Sequence, residues 1–161
     1  MNAIRTYTEM ESKNVILNSA ISGSCHRYID KYCQDEISHK DEGLVIQCLI
    51  KVRDDHQNMD DKCKAAVEHW QILSLKDWHF SYQFKESCKE DIKDHCVQKQ
   101  LKSKADIVSC LSEIARNDVL VEKEPRTLKA KCRAQLKFQL LQKHTNIKLN
   151  PKVVSTGRIY I

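Results

Sequence analysis

Residues 24–33, SCHRYIDKYC, return 63 residues later as residues 87–96, SCKEDIKDHC. The serine, both cysteines and one isoleucine keep their places, whereas most of the other residues change. An active site is normally built once in a chain. A recurring cysteine frame therefore predicts a structural unit that the chain uses twice.

The eight cysteines of this 161-residue chain fall into two sets of four. The first set is spaced C-x7-C-x14-C-x14-C and the second C-x7-C-x13-C-x21-C. Two further phrases recur: VIQCLIKV at 45–52 matches IVSCLSEI at 107–114, and KCKAAV at 62–67 matches KCRAQL at 131–136. These matches predict a tandem duplication whose units differ mainly in the loop before the third phrase. The cysteines are Cys25, Cys33, Cys48 and Cys63, then Cys88, Cys96, Cys110 and Cys132.

Each recurring phrase has the apolar spacing of an amphipathic helix. Cys25, Ile29 and Cys33, for example, lie at i, i+4 and i+8, on one face of a helix. The chain has only three Gly and two Pro, which favours helices over strands and turns. The sequence predicts an all-α fold of two tandem three-helix repeats with their cysteines on the buried faces. The helices are expected near residues 25–36, 43–55, 60–74, 88–100, 105–117 and 127–143.

The helical spacing limits how the cysteines can pair. Two cysteines eight residues apart on one helix lie about 12 Å apart along its axis, too far for a disulfide. If the three helices of a unit run up, down and up, the first cysteine is level with the fourth and the second with the third. Of the three pairings that four cysteines allow, this one is preferred. It joins Cys25 to Cys63, Cys33 to Cys48, Cys88 to Cys132, and Cys96 to Cys110.

The cysteines have two other interpretations. A structural zinc site usually contains a C-x2–4-C hook, which this sequence lacks, so we expect no metal and no cofactor. Reduced cysteines can also act as small apolar core residues. That interpretation makes the protein an intracellular helical scaffold for protein–protein interaction, and it stays open as the alternative.

The domain organisation follows from the repeat, and the end of the chain echoes its beginning. Leu149 and Asn150 match Leu17 and Asn18, but Gly157 stands where the next cysteine is expected. This favours a fragment of a longer solenoid-like array or a truncated gene product, with a divergent tail as the alternative. The expected segments are the end of a preceding unit or a lead-in (1–24), repeat one (25–75), an aromatic joint (76–87), repeat two (88–144) and an incomplete third repeat (145–161).

The frame C-x3-I-x3-C followed by I/V-x-C-L, present twice across residues 17–154, resembles the repeat of the Golgi apparatus cysteine-rich glycoprotein family. That family is also described as a cysteine-rich fibroblast growth factor receptor and an E-selectin ligand. The resemblance implies a lumenal or extracellular binding protein, built as a long array and anchored by one membrane span. It also implies localisation in the Golgi and the secretory pathway, with growth factors and carbohydrate-dependent adhesion proteins as partners.

This chain departs from the family pattern in several respects. It has two repeats where the family has many, and the first 24 residues contain no basic stretch followed by an apolar run. No run approaches the roughly 18 apolar residues of a membrane span. There is also no Asn-x-Ser/Thr acceptor, so selectin recognition through N-glycans of this segment is not expected.

Aromatic residues between the two repeats form the first candidate binding surface. Trp78, Phe80, Tyr82 and Phe84 alternate with polar residues, which predicts an extended ribbon with one aromatic face. The preferred interpretation is that the rings pack the joint, because stacked repeats bury the face they share. The alternative is a ligand platform that includes Trp78 and Tyr82.

A basic row near the C-terminus forms the second candidate. Lys129, Arg133 and Lys137 are spaced i, i+4 and i+8 beside a buried stripe. From Lys123 onward the chain carries ten basic residues and one acidic residue, whereas residues 1–122 sum to −4. This uneven charge does not indicate a nucleic-acid binder. A solvated face is the preferred interpretation, and a site for a sulfated glycan or an acidic partner is the alternative.

No catalytic constellation is evident in the sequence. It has no glycine-rich phosphate loop, no G-x-S-x-G and no H-E-x-x-H. Asp30, Asp35 and Asp41 are interpreted as exposed helix faces and caps. We therefore expect a non-catalytic, lumenal or extracellular binding module that contacts growth factors or glycan-bearing partners.

Overall fold

The structure is a computed structural model that describes residues 2–55, 58–97, 101, 103–146 and 149. Over this part of the chain it is helical and contains no strand, which confirms the predicted all-α class. None of the described helices is long and apolar enough to cross a membrane. The helices are α1 (Asn2–Lys13), α2 (Ser19–Tyr32), α3 (Gln34–Ser38), α4 (Leu44–Asp55), α5 (Asp61–Lys76), α6 (Tyr82–His95), α7 (Lys104–Leu120) and α8 (Ala130–Thr145), with 3-10 turns at Val15–Leu17 and Trp78–Phe80.

The chain divides into two compact units. The first consists of Met1–Leu73 and His79–Gln83, and the second of Ser74–Trp78 and Phe84–Ile161. Residues of the expected joint, 76–87, therefore belong partly to one unit and partly to the other. Of the expected third repeat, residues 147, 148 and 150–161 lie outside the described residues.

Helix α2 begins at Ser19, six residues before the expected start at residue 25. The Asn18 side chain caps it by accepting a hydrogen bond from the backbone N–H of Ile21, at 3.0 Å. Ile21 is buried like Cys25 and Ile29, so the apolar stripe extends one turn upstream of the first cysteine. An N-cap and a stripe residue together place the helix start earlier than the cysteines alone predict.

The expected extended ribbon of aromatic residues is wrong. Residues Trp78–Phe80 form a 3-10 turn, and Tyr82 is already the first residue of α6. Phe84, Cys88 and Ile92 lie at i, i+4 and i+8, and all three are buried in the core of the second unit. The helix prevails over the extended ribbon because a strand would place the two glutamates between these residues on the same buried face, whereas the helix leaves them exposed.

Four disulfides fix the helices of the two units at two levels. These are the pairs predicted from which cysteines lie level with one another, and all eight cysteines are paired. In the first unit one bridge ties α2 to α5 and the other ties the end of α2 to α4. In the second unit one bridge ties α6 to α8 and the other ties the end of α6 to α7. The Cα–Cα distances are 4.8 Å for Cys25–Cys63, 5.9 Å for Cys33–Cys48, 4.6 Å for Cys88–Cys132 and 6.3 Å for Cys96–Cys110.

The second unit has the longer connection between its second and third helices. Helix α7 has 17 residues whereas α4 has 12, and residues 121–129 lead from α7 to α8. Asp118 closes this loop by accepting hydrogen bonds from the backbone N–H of Thr127 at 2.6 Å and from its hydroxyl at 2.7 Å. The hydroxyl bond is the main reason that the pKa of Asp118 lies below its usual range.

Candidate functional site

The basic row of the C-terminal segment lies on the surface at the start of α8. Lys129 is the N-cap residue of this helix, and the side chains of Lys129, Arg133 and Lys137 are all exposed. On the inner face of the same helix, Cys132 and Leu136 are buried. The structure therefore places the three cations together on the solvent side, next to the buried stripe.

One of these cations has an acidic partner. The Lys129 ammonium forms an ion pair with the carboxylate of Glu90 on α6, and both side chains are 59% exposed. An exposed pair of this kind contributes at most about 1 kcal/mol, so an anionic ligand can compete for Lys129. Within the described residues, no ion pair engages Arg133 or Lys137.

The two aromatic candidates belong to different units of the chain. Trp78 packs against the core of the second unit, where it is partly buried. Tyr82 belongs to the first unit, and the Lys13 ammonium lies 5.4 Å from the centroid of its ring. Trp78 thus contributes to the packing of the second unit.

In each unit a polar side chain of one helix binds the backbone at the start of another: α2 binds the start of α5, and α6 binds the start of α8. Sequence reasoning missed both of these residues. In the first unit, the Tyr28 hydroxyl accepts a hydrogen bond from the backbone N–H of Asp60 at 2.8 Å. In the second unit, the buried Asp91 carboxylate accepts one from the backbone N–H of Lys129 at 3.2 Å. Tyr28 and Asp91 are 63 residues apart, so alignment of the two units would have paired them.

Asp91, on α6, accepts the backbone N–H of the residue at which α8 is capped. The Lys129 side chain itself makes no cap hydrogen bond. Burial raises the pKa of Asp91, while the hydrogen bond from Lys129 and the charge of His95 act in the opposite direction. The carboxylate is thus a structural acceptor that is costly to keep ionised.

The interpretation of Asp41 as an exposed residue is wrong, whereas Asp30 and Asp35 are exposed as expected. The Asp41 side chain is buried and accepts hydrogen bonds from the backbone N–H groups of Val15, at 2.5 Å, and Val45, at 3.0 Å. Burial raises its pKa, and these backbone bonds oppose the rise. The buried carboxylate joins the 3-10 turn after α1 to the start of α4.

The loop around Asp41 has an unusual backbone. Lys40, Asp41, Glu42 and Gly43 all have positive φ, at 67°, 61°, 46° and 80°. The N–H of Gly43 donates to the carbonyl of Lys13 at 2.9 Å, at the end of α1. Positive φ is strained for residues with a side chain, so these hydrogen bonds hold the loop in a conformation that the local sequence does not favour.

Lys104 is a buried cation in the second unit. Its side chain lies 5.8 Å from the centroid of the Phe84 ring, and its ammonium donates to the Ser74 hydroxyl at 3.5 Å. The residue is only 4% exposed, and burial lowers the pKa of Lys104 to about 7. Sequence reasoning missed this lysine because lysines are normally solvated, although Lys104 precedes Ile107 by three residues and so lies on the face of the buried stripe.

The described residues contain one cluster with metal-ligand chemistry: Cys33, Glu36 and Cys48. The two sulfur atoms are already bonded to each other in a disulfide. Because a metal needs thiolates, the disulfide leaves only the Glu36 carboxylate as a donor. The cluster therefore does not fit a metal in this state.

A family model described as a cysteine rich repeat matches residues 2–57 and 61–119. Relatives named Golgi apparatus protein 1 from Homo sapiens and Cricetulus griseus are each 37% identical over 146 residues. A Caenorhabditis elegans relative, named Golgi apparatus protein 1 homolog, is 38% identical over 140 residues. No solved structure matches this chain.

These alignments cover most of this chain but little of each relative. They span 89% of the chain for the two mammalian proteins and 84% for the nematode protein, and 12% of each relative. The names of the relatives support the expected Golgi localisation. The two matches of the family model include seven of the eight cysteines, all except Cys132, and the chain therefore belongs to the cysteine rich repeat family.

Proposed function

We propose that this chain is a non-catalytic binding module of the Golgi lumen and secretory pathway, and that α8 carries its contact surface for sulfated glycans. The observation that carries the proposal is the exposed row of Lys129, Arg133 and Lys137. The family relationship supports growth factors and glycan-bearing proteins as the wider class of partners. The four disulfides support an oxidising compartment, since such bonds rarely persist in the cytosol.

The chemistry of the row favours an anionic chain over an apolar ligand. Arg133 can bind a sulfate through two N–H groups, and Lys137 adds a compact charge one turn further along the helix. The contact is mainly electrostatic, so the affinity should fall steeply as salt is added. The Debye length shrinks from about 10 Å at 0.1 M to about 3 Å at 1 M.

Heparin affinity chromatography tests this surface. Replacement of Lys129, Arg133 and Lys137 by Gln should lower the salt concentration of elution and leave the helical circular dichroism unchanged. The matched control replaces the exposed lysines of the first unit, Lys51, Lys62 and Lys64, by Gln. It removes the same charge and should have a much smaller effect. If the two variants elute at the same salt concentration, the row on α8 is only a solvated face and not a binding site.

The redox state of the isolated protein tests the compartment. The mass of the protein should rise by that of eight hydrogen atoms when a reductant is added, if all eight cysteines are paired. If all eight thiols of protein taken from its native compartment react with an alkylating agent before reduction, the chain is a reduced intracellular scaffold, and the lumenal proposal is wrong.

A further inference from the structure

Helix α1 presents its apolar side to the solvent. Ile4, Tyr7 and Met10 share one side of the helix and are 78%, 54% and 53% exposed. The side that faces the first unit is polar, with Thr8 9% and Ser12 3% exposed. An amphipathic helix normally buries its apolar stripe, so this outward face is an unexpected feature that calls for a partner.

Helix α5 carries the same stripe and buries it. With an offset of 63 residues, Ile4 corresponds to Val67 and Tyr7 to Trp70, which are 0% and 5% exposed. The match extends beyond the stripe. The further pairs are Ala3 with Ala66, Met10 with Leu73, Lys13 with Lys76, Asn14 with Asp77 and Leu17 with Phe80.

Two bonds tie α5 to the first two long helices of its repeat. The Cys25–Cys63 disulfide ties α5 to α2, the first helix of its repeat. The Arg53 guanidinium on α4 donates a hydrogen bond to the Gln71 side chain of α5. The first two long helices of the repeat, α2 and α4, are therefore the elements that hold α5 in the first unit.

We propose that the outward face of α1, formed by Ile4, Tyr7 and Met10, is a docking surface for the first two helices of a further cysteine-rich repeat. The interface is of the kind already built between α5 and the pair α2 and α4. Helix α1 then has two roles at once. Its apolar face completes one repeat, and its polar face, with the turn at Val15–Leu17, joins the next repeat through Asp41 and Gly43.

A second copy of this chain is a poor occupant of the face. In each unit the first two helices are already bonded to a third helix, by Cys25–Cys63 in the first and Cys88–Cys132 in the second. A second copy would have to release α5 or α8 before it could cover α1. The partner that fits is a helix pair whose own third-helix position is vacant.

An in-register graft tests this proposal on the full chain. A second copy of residues 18–63 is placed directly before Met1, so that Met1 follows Cys63 as Lys64 does in the natural sequence. Docking should slow amide hydrogen exchange in Asn2–Lys13 at least about tenfold and lower the binding of the dye ANS, because the apolar face becomes covered. All twelve cysteines should be paired.

Two controls keep the result interpretable. Two extra residues between the graft and Met1 rotate α1 by about 200° relative to the graft and should abolish the protection. Replacement of Ile4, Tyr7 and Met10 by Glu should abolish it as well, and should leave the ungrafted chain folded because these side chains are exposed.

Equal exchange in the in-register and shifted grafts would overturn the proposal. Sedimentation of the ungrafted chain provides the other decisive result. A dimer that the triple Glu variant disrupts would show that a second copy covers the face, and the proposed partner would be wrong. A monomer in both cases supports the helix pair as the occupant.

Discussion

The Gly43 position offers a direct test of the loop that joins α1 to α4. Gly43 has φ of +80°, and its N–H donates to the Lys13 carbonyl at 2.9 Å. A Cβ atom at this position would lie 3.0 Å from the Ser12 carbonyl oxygen and 3.2 Å from the Cβ of Tyr82. The substitution Gly43→Ala therefore brings both backbone strain and a steric conflict, and the nearer of the two neighbouring atoms belongs to the backbone.

The expected loss of stability is the sum of the backbone strain and the steric conflict. A residue with a side chain in the left-handed region costs about 1–2 kcal/mol. An extra methyl group in a well-packed site costs about 1–3 kcal/mol. Because relief of the contact can relieve part of the strain, we expect Gly43→Ala to lower the free energy of unfolding by about 2–4 kcal/mol.

Gly23 provides the matched control, because the same change has the opposite sign there. It lies inside α2, and apart from its chain neighbours and the backbone of the helix itself, no heavy atom lies within 4 Å of the position that its Cβ would take. Ala lowers the entropy of the unfolded chain and favours the helix, so Gly23→Ala should raise the free energy of unfolding by about 0.5–1 kcal/mol.

Urea unfolding followed by circular dichroism at 222 nm, with the disulfides intact, measures both changes. The two variants should shift the midpoint in opposite directions with an unchanged slope. If Gly43→Ala is neutral or stabilising while Gly23→Ala behaves as expected, the loop does not hold Gly43 at positive φ against α1. The Asp41 carboxylate, which that loop positions, would then not join Val15 to Val45 as described.

Two further predictions concern buried charges of the second unit. Burial lowers the pKa of Lys104 to about 7, well below the 10.5 of a solvated lysine. Between these two values the unfolded state binds more protons than the folded state, so the free energy of unfolding should rise with pH across that window. From pH 7 to 9, the free energy of unfolding in urea should rise by up to about 1.4 kcal/mol per pH unit in the wild type relative to Lys104→Met. Parallel pH profiles of the two proteins would contradict the burial of a titrating amine. Asp91→Ala should destabilise the protein by about 1–3 kcal/mol, because the Lys129 N–H loses its acceptor. Asp91→Asn keeps an acceptor oxygen and should cost less stability. Equal losses in the same unfolding experiment would exclude the hydrogen bond as the cause.

The disulfide pairing was predictable because it depends on features that a sequence displays. The cysteine spacing places Cys25 and Cys33 two turns apart on one face, and the helix order then decides which partners are level. The same apolar stripes indicate the helices themselves. No distant contact had to be known for either inference.

The helix starts were less predictable because the cysteines are not the ends of the stripes. Asn18 caps α2 before the first cysteine, and Tyr82 begins α6 six residues before Cys88. At residues 78–84 a two-residue and a four-residue pattern overlap, and the aromatic rings fit both. Phe84, Cys88 and Ile92 would share one face in a strand as well. The choice depends on Glu86 and Glu90, which a strand would place on that same buried face and which a helix leaves exposed.

The buried polar groups were not predictable from local sequence. Asp41 and Lys104 are buried by elements far away in the chain: Val15 binds the carboxylate, and Ser74 lies beside the ammonium. A charged residue in a polar loop is solvated in most proteins, so local reasoning assigns both to the surface. Only the fold that the cysteines determine brings their partners to them.

Corresponding positions of the two repeats satisfy the same backbone need with different chemistry. Asp41 corresponds to Ser103, 62 residues later, and both precede the second helix of their unit. The Asp41 carboxylate accepts the N–H of Val45, and the Ser103 hydroxyl accepts that of Asp106 at 3.1 Å. A charge that burial disfavours holds one helix start, and a neutral group holds the other.

A charged group also replaces a neutral one at the contact between α2 and α5 and its counterpart between α6 and α8. The neutral hydroxyl of Tyr28 and the carboxylate of Asp91 occupy one position of the frame and hold equivalent helix starts. The cysteines and apolar stripes are therefore sufficient to specify the common three-helix frame. The polar anchors are free to vary between repeats, so repeats with the same fold can differ in their response to pH.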